Sequence, residues 1–162
     1  MAKLILRISI AFVLLGVFAT NSFSAVKTIR PDQFMIQETD KAVNQSPLFA
    51  SSNSFTEHAL FNAVVKLPAG KIIKTIMFYH QGTGVGIPDV TVETSILFYR
   101  TAADGTTDEI ARLGSDQKTI GFIPITAETI HFPKIRRGYI YWFYIYSKNI
   151  NSWIGNIQVT YK

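Results

Sequence analysis

The sequence predicts an all-β protein, built as a two-sheet antiparallel β-sandwich of the jelly-roll or Greek-key type. Helical periodicity is nearly absent from the chain. Short stretches rich in Val, Ile, Tyr, Phe and Thr recur instead, separated by Gly, Pro, Asp and Asn. Several stretches alternate apolar and polar residues, which is typical of strands with one buried and one solvated face. Two packed antiparallel sheets account for all of these patterns.

The amino-terminal residues 1–24 show the three-part pattern of a secretory signal peptide. Lys3 and Arg7 form a cationic region, residues 8–18 are uninterrupted apolar or small residues, and small residues lead to Ser24. A helix over residues 8–18 spans roughly 16 Å, about half the hydrocarbon thickness of a bilayer. We therefore expect cleavage near Ser24 and a bacterial protein that is periplasmic or extracellular. The alternative is a leader that is kept as an anchor.

Composition limits what the remaining residues 25–162 can be. They are long enough for a single domain, and they hold 14 basic and 11 acidic residues, a net charge of only +3. This mild and scattered charge argues against a nucleic-acid partner. The chain has no cysteine, so its core rather than disulfides must hold the domain together, which favours a bacterial protein. After cleavage of the leader we expect no integral membrane segment.

Ten strands are predicted along the mature chain. They are expected near residues 26–30, 32–37, 59–66, 71–80, 90–100, 107–112, 119–124, 128–132, 139–147 and 156–161. The polar, serine-rich residues 38–58 between the second and third strands predict a long surface loop, with at most one short strand around Phe49.

Turn residues separate these strands for physical reasons. Pro68 presets φ for a type I turn over residues 67–70, and Gly70 occupies its fourth position. The Asp104-Gly105 pair tolerates positive φ, which predicts a hairpin between the strands that flank it. Further reversals are expected at Gly114-Ser115-Asp116 and at Arg137-Gly138.

The alternation of apolar and polar residues indicates which strand faces are exposed to solvent. In the strand over 90–98, Val90, Val92, Thr94, Ile96 and Phe98 share one face, and polar residues occupy the other. The last strand alternates in the same way through Ile157, Val159 and Tyr161. The strand over 71–80 carries apolar residues on both faces, which is typical of a central strand.

Residues 138–146, GYIYWFYIY, hold six aromatic residues and no charge. Alternation directs Tyr139, Tyr141, Phe143 and Ile145 to one face and Ile140, Trp142, Tyr144 and Tyr146 to the other. We favour a central strand with one face in the sandwich core, because each buried aromatic ring removes about 150–250 Å² from water. Another interpretation is a binding platform on which sugar rings stack.

The turn, the aromatic strand and the terminal strand together resemble a group of exported bacterial single-domain β-sandwich proteins of uncharacterised function. Leu67, Pro68, Gly70 and Ile73 match an LP-x-G-x-x-I turn, Tyr139 and Tyr141 match a Tyr-x-Tyr strand, and Tyr161 ends a short terminal strand. The resemblance extends loosely over 59–161 and implies a fold without a chemistry. Many such sequences carry an acidic residue where this chain has His80-Gln81.

Catalytic motifs are missing from the sequence. The histidines have no metal-binding spacing, no serine lies in a G-x-S-x-G elbow, and glycines 82, 84 and 86 fit no phosphate loop. We therefore predict no enzyme, no catalytic residue, no metal and no cofactor. The candidate binding residues are Trp153, expected in an exposed loop, with Tyr146 and His80.

Three functions remain open on this basis. The first is an exported, non-enzymatic β-sandwich module for recognition or structure at the cell envelope, whose partner is an envelope component, either a glycan or a protein. The second is a carbohydrate-binding accessory or a carbohydrate-active protein. The third is a subunit of an extracellular assembly. The sequence leaves the ligand and the oligomeric state undetermined.

Overall fold

A computed structural model describes residues 24–37, 43–46, 49–52, 59–81, 94–115, 121–147 and 153–162. It confirms an all-β fold of two antiparallel sheets. The strands are β1 Ala25–Ile29, β2 Met35–Ile36, β3 Val43–Gln45, β4 Ala50–Ser52, β5 Ala59–Val65, β6 Ile73–Gln81, β7 Thr94–Thr101, β8 Thr107–Ser115, β9 Ile123–Thr126, β10 Ile140–Ser147 and β11 Trp153–Tyr161.

Each sheet is named here by its central strand. The β10 sheet has the order β2-β5-β10-β7-β8, and the β11 sheet has the order β3-β4-β11-β6-β9 with β1 also paired to β11. All of these pairings are antiparallel. The edge strands β8 and β9 therefore stand at the same side of the sandwich, where they also contact each other.

The tyrosine-rich strand β10 is an interior rib of the sandwich, as alternation predicts. Tyr141, Phe143 and Ile145 are buried, while Ile140 on the opposite face is 59% exposed. The Phe143 ring stacks on Phe98 of the neighbouring strand, with ring centroids 4.2 Å apart. The buried residues of β10 and Phe98 belong to an apolar cluster to which both sheets contribute. Burial of this cluster is the main favourable term in folding.

Strand β11 joins most of its sheet together. Its carboxyl-terminal half pairs with β1 from Ala25↔Tyr161 to Ile29↔Ile157, and Ile154 near its start pairs with Ala50 of β4. Its other edge pairs with β6 along most of its length. Without β11, neither β1 nor β4 has a partner linking it to β6.

A buried charged cluster at one end of the sandwich is centred on Arg100. Its side chain is only 6% exposed, and its guanidinium lies 2.8 Å from the Asp108 carboxylate. The rings of Phe132 and Tyr139 lie 4.1 and 4.9 Å from the guanidinium carbon and add cation–π attraction. Phe132 has a φ of 49°, an uncommon and strained conformation for a bulky residue. The cluster fixes the segment before β10 against the β7–β8 hairpin.

Substitution of Asp108 by alanine is expected to lower the free energy of unfolding by about 3 kcal/mol, because the Arg100 guanidinium would remain buried without its counterion. The matched control is Asp32→Ala, which removes an exposed ion pair with Arg30 and should cost no more than about 1 kcal/mol. Urea unfolding of both variants measures the difference. Equal losses of unfolding free energy in the two variants would show that the buried ion pair with Asp108 stabilises the protein no more than an exposed one.

Several strand predictions are confirmed. The hairpin around Asp104-Gly105 joins β7 to β8 with Thr101 opposite Thr107, and Gly105 has a φ of 86°. Strand β6 is central, between β11 and β9. Thr94, Ile96 and Phe98 point into the core as their alternation predicts.

Other predictions are wrong for local reasons. Residues 128–132 form no strand: the His131 backbone N–H donates to Ile110 O, and the chain then turns through the positive φ of Phe132. In the stretch predicted as a strand over 32–37, Pro31–Gln33 form a 3-10 turn and only Met35–Ile36 pair. The residues predicted as a loop over 38–58 include β3 and β4, two short strands rather than one.

Gly114 and Ser115, predicted at a reversal, instead end β8 and pair with Ser95 and Thr94. Other expectations concern residues outside the described ranges. They include most of the predicted leader over 1–24, most of the loop between the strands predicted over 71–80 and 90–100, and the start of the strand predicted from 119, which is described only as β9. Within the described ranges, no helix is long and apolar enough to cross a bilayer.

Candidate functional site

The outer surface of the β10 sheet carries four aromatic side chains, which we call the aromatic face: Tyr99, Trp142, Tyr144 and Tyr146. Three of them alternate along β10 with the buried residues of the rib, so they necessarily point away from the core. Tyr99 of β7 lies directly opposite Trp142. All four are half-buried, which means that the sheet holds the rings in place while part of each remains accessible to solvent.

Tyr99 and Trp142 form a cross-strand stack at the centre of the aromatic face. Their ring centroids are 4.9 Å apart and their planes differ by 30°. At this distance each ring covers one face of the other. A ligand can therefore contact the edges of both rings and the one face of each ring that points away from its partner. The Trp142 indole N–H donates to Thr101 Oγ1 at 2.9 Å. Trp142 is therefore positioned to stack rather than to donate a hydrogen bond to a ligand.

An ion pair stands beside this stack on β8. Arg112 Nη2 lies 3.0 Å from Glu109 Oε2, and Arg112 Nε donates to Glu109 Oε1 at 3.2 Å. The Arg112 side chain is 67% exposed. The pair is solvated and contributes little to stability, but it supplies both donors and acceptors at the edge of the aromatic face.

Burial raises the pKa of the Tyr99 phenol above its ordinary value of 10.0, and the neighbouring Glu109 carboxylate raises that pKa further, while Arg112 opposes it. Because folding raises this pKa, Tyr99 makes its full contribution to the free energy of unfolding at pH values below its pKa in the unfolded chain. That contribution is lost as the pH rises through the higher pKa of the folded state.

Replacement of Glu109 by glutamine is expected to lower the pKa of Tyr99 and leave it above the ordinary value, because desolvation is the larger cause. Tyrosinate absorbance, measured as the difference between each protein and its Tyr99→Phe counterpart, isolates this group. An unchanged midpoint in the Glu109→Gln protein would contradict the contact between Glu109 and Tyr99.

Aliphatic side chains surround the aromatic face. Met35, Val64 and Ile140 are 51%, 55% and 59% exposed, and Val64 lies opposite Trp142. A groove of about 380 Å³ begins beside them, lined in part by Lys66, Leu67, Ile140 and Tyr139. The aromatic face is therefore one part of a larger exposed apolar surface.

The structure separates the three residues predicted for binding. Tyr146 lies on the aromatic face. Trp153 is not in a loop: it is the first residue of β11, on the other sheet, and its half-buried ring stacks on Phe49 with centroids 4.6 Å apart. His80 is fully buried, with Nδ1 2.5 Å from Ser115 Oγ. A ligand at the surface therefore does not reach its imidazole, and His80 is corrected to an interior residue.

Sequence reasoning placed three of these four residues on one strand face but named only one of them as a binding candidate. Alternation already directed Trp142, Tyr144 and Tyr146 to one side of a strand, yet only Tyr146 was a candidate. The stack between Trp142 and Tyr99 depends on the pairing of β10 with β7, which no local pattern reveals. Among the described residues, no group of three or more His, Cys, Asp or Glu side chains is placed to hold a metal ion.

Comparison with known proteins yields only distant structural similarity. No family model matches the chain, and no curated protein matches it. The xylan-binding module CBM86 from Roseburia intestinalis has a TM-score of 0.44 and 14% identity over 85% of this chain and 95% of that one. The Stig cyclase Fisc from Fischerella sp. TAU has a TM-score of 0.41 and 8% identity, over 90% of this chain and 91% of that one.

A third solved structure is the family 11 carbohydrate-binding module of the cellulosomal cellulase Lic26A-Cel5E of Clostridium thermocellum. It has a TM-score of 0.37 and 11% identity, over 88% of this chain and 89% of that one. At such low identities and scores these matches carry no information about the ligand. The function is therefore inferred from the residues of this chain.

Proposed function

We propose that this protein is an exported, non-enzymatic recognition module of the cell envelope that binds carbohydrate through its aromatic face. The observation that supports this most directly is the set of four half-buried rings, Tyr99, Trp142, Tyr144 and Tyr146, on one exposed sheet surface. The face of an aromatic ring is electron-rich, and it attracts the polarised C–H bonds of a sugar ring.

Polar groups needed to orient a sugar stand beside these rings. The three tyrosines provide phenol hydroxyls, which both donate and accept hydrogen bonds. The Glu109–Arg112 pair provides carboxylate acceptors and guanidinium donors at the β8 edge. Ligand sites typically combine an apolar lining with a few such polar groups that fix orientation.

The direct test is affinity electrophoresis of the mature protein through gels containing one soluble polysaccharide each: xylan, mannan, mixed-linkage β-glucan or galactan. Retardation in at least one gel is expected. Fluorescence then locates the contact, because the chain has two tryptophans. The Trp153→Phe protein, which retains only Trp142, should keep its fluorescence response to the retarding polysaccharide. Absence of retardation across the panel would contradict the proposal.

A second candidate function is a subunit of an extracellular assembly. It is favoured by the exposed aliphatic side chains Met35, Val64 and Ile140, which lie together on adjacent strands and resemble the apolar surface that protein interfaces bury. Sedimentation velocity over a wide concentration range tests it. Self-association that Ile140→Lys abolishes would support this function, and a monomer at every concentration would count against a self-assembling subunit.

A further inference from the structure

A polar cleft lies beside the aromatic face, where the edges of the two sheets meet. It has a volume of about 340 Å³, within the range of roughly 300–1,000 Å³ that ligand sites occupy. Strand β8 contributes Glu109, Arg112, Leu113 and Gly114, strand β9 contributes Ile125 and Thr126, and the segment that follows contributes Glu128, Thr129 and His131.

The walls of this cleft are fixed by backbone hydrogen bonds. The His131 N–H donates to Ile110 O at 2.7 Å, which holds the far wall against β8, and the Ala127 N–H donates to Ile76 O at 2.9 Å. Leu113, which also lines the cleft, is 3% exposed. The cleft is therefore a preformed feature of the fold, and its polar side chains project from a rigid base.

Two residues of the cleft also border the aromatic face. Glu109 lies opposite Tyr99 and Arg112 lies opposite Leu97, so both side chains point outward from the β10 sheet, and both also line the cleft. The cleft nevertheless opens at the side of the sandwich, because β9 belongs to the other sheet. A sugar chain lying flat on the aromatic face would pass this opening, whereas a substituent turning over the β8 edge would enter it.

The charges in the cleft restrict what it accepts. Glu109 and Arg112 neutralise each other, and exposed Glu128 adds a negative charge. Carboxylates accept hydrogen bonds from sugar hydroxyls, and such charge-assisted bonds are the stronger kind. An acidic substituent would instead meet the carboxylate of Glu128 and be repelled.

We infer that this cleft is a second subsite for the same ligand and that it takes an uncharged sugar branch of a polysaccharide whose main chain lies on the aromatic face. The inference rests on the proposed function, since the branch is delivered by a main chain bound to Trp142 and its neighbours. Glu128 accepts hydrogen bonds from the hydroxyls of the branch, and Thr129 and His131 line the same wall.

The test compares branched and unbranched forms of one main chain by isothermal titration calorimetry. The probes are arabinoxylan against linear xylan and galactomannan against linear mannan, using the main chain that retards the protein in gels. The branched form is expected to bind about ten-fold more tightly, the equivalent of one hydrogen bond to a charged group. Glu128→Gln should remove this advantage and leave the affinity for the linear form unchanged.

Two controls keep the result specific. Glu128 is exposed, so its substitution should not disturb folding, and Asp104→Asn provides a matched loss of one exposed carboxylate at a hairpin tip outside the cleft. Equal affinity for branched and linear forms, or an equal effect of Glu128→Gln on both, would overturn the inference and leave the proposed function standing. If neither form binds the wild-type protein, the proposed function and this inference both fail.

Discussion

Alanine at position 142 is expected to weaken binding of the retarding polysaccharide by about 30-fold, because a buried aromatic anchor at the centre of an interface contributes about 2 kcal/mol or more. The substitution removes the indole and exposes one face of Tyr99, its stacking partner. Isothermal titration calorimetry with the polysaccharide found in the gel panel measures the loss. Circular dichroism confirms that the variant remains folded.

The matched control for this prediction is Trp153→Phe. Trp153 lies on the opposite sheet and stacks on Phe49, so an aromatic replacement should leave affinity within about two-fold. Tyr146→Ala provides a second variant on the aromatic face that leaves the Thr101 hydrogen bond of Trp142 in place. If folded Trp142→Ala and Tyr146→Ala proteins bind as tightly as the wild type, the aromatic face is not the site.

Truncation of Phe143 to alanine is expected to reduce the free energy of unfolding by about 3–5 kcal/mol. Phe143 is fully buried and stacks on Phe98 with centroids 4.2 Å apart, so its removal leaves a cavity lined by rigid neighbours. Since domains of this size are stable by about 5–15 kcal/mol, this is a large fraction of the total. Urea unfolding followed by far-ultraviolet circular dichroism measures the change.

Ile140→Ala on the same strand is the control for Phe143→Ala. Ile140 is 59% exposed on the outer face, and its truncation should change the free energy of unfolding by about 0.5 kcal/mol or less. Comparable losses in the two variants would mean that the two faces of β10 do not differ in burial, which would contradict its place as an interior rib.

The architecture was predictable because alternation reports burial directly. A residue two positions along a strand returns to the same face, so Phe143 and Ile145 could be placed on one face together, while the structure shows that this face is the core. Register was not predictable, because pairing partners lie far apart in sequence. Trp142 and Tyr99 are separated by a long stretch of chain, and only the antiparallel ladder brings their rings together.

The errors have a common physical origin in tertiary contacts. Residues 128–132 carry a strand-like composition, but the His131 N–H bonds to the edge of β8 and Phe132 covers the buried guanidinium of Arg100. Trp153 is surrounded by loop-forming residues in the sequence. It nevertheless begins β11, where its backbone pairs with Gln81 at the end of β6. In each case a distant partner overrides the local preference.

The position of β11 in its sheet determines when that sheet can be completed. This strand follows all the others in the chain, yet it lies between β6 on one side and β1 and β4 on the other. Until β11 has been synthesised, that sheet has a gap where β11 belongs. The β11 sheet is thus completed only when this last strand pairs with its neighbours.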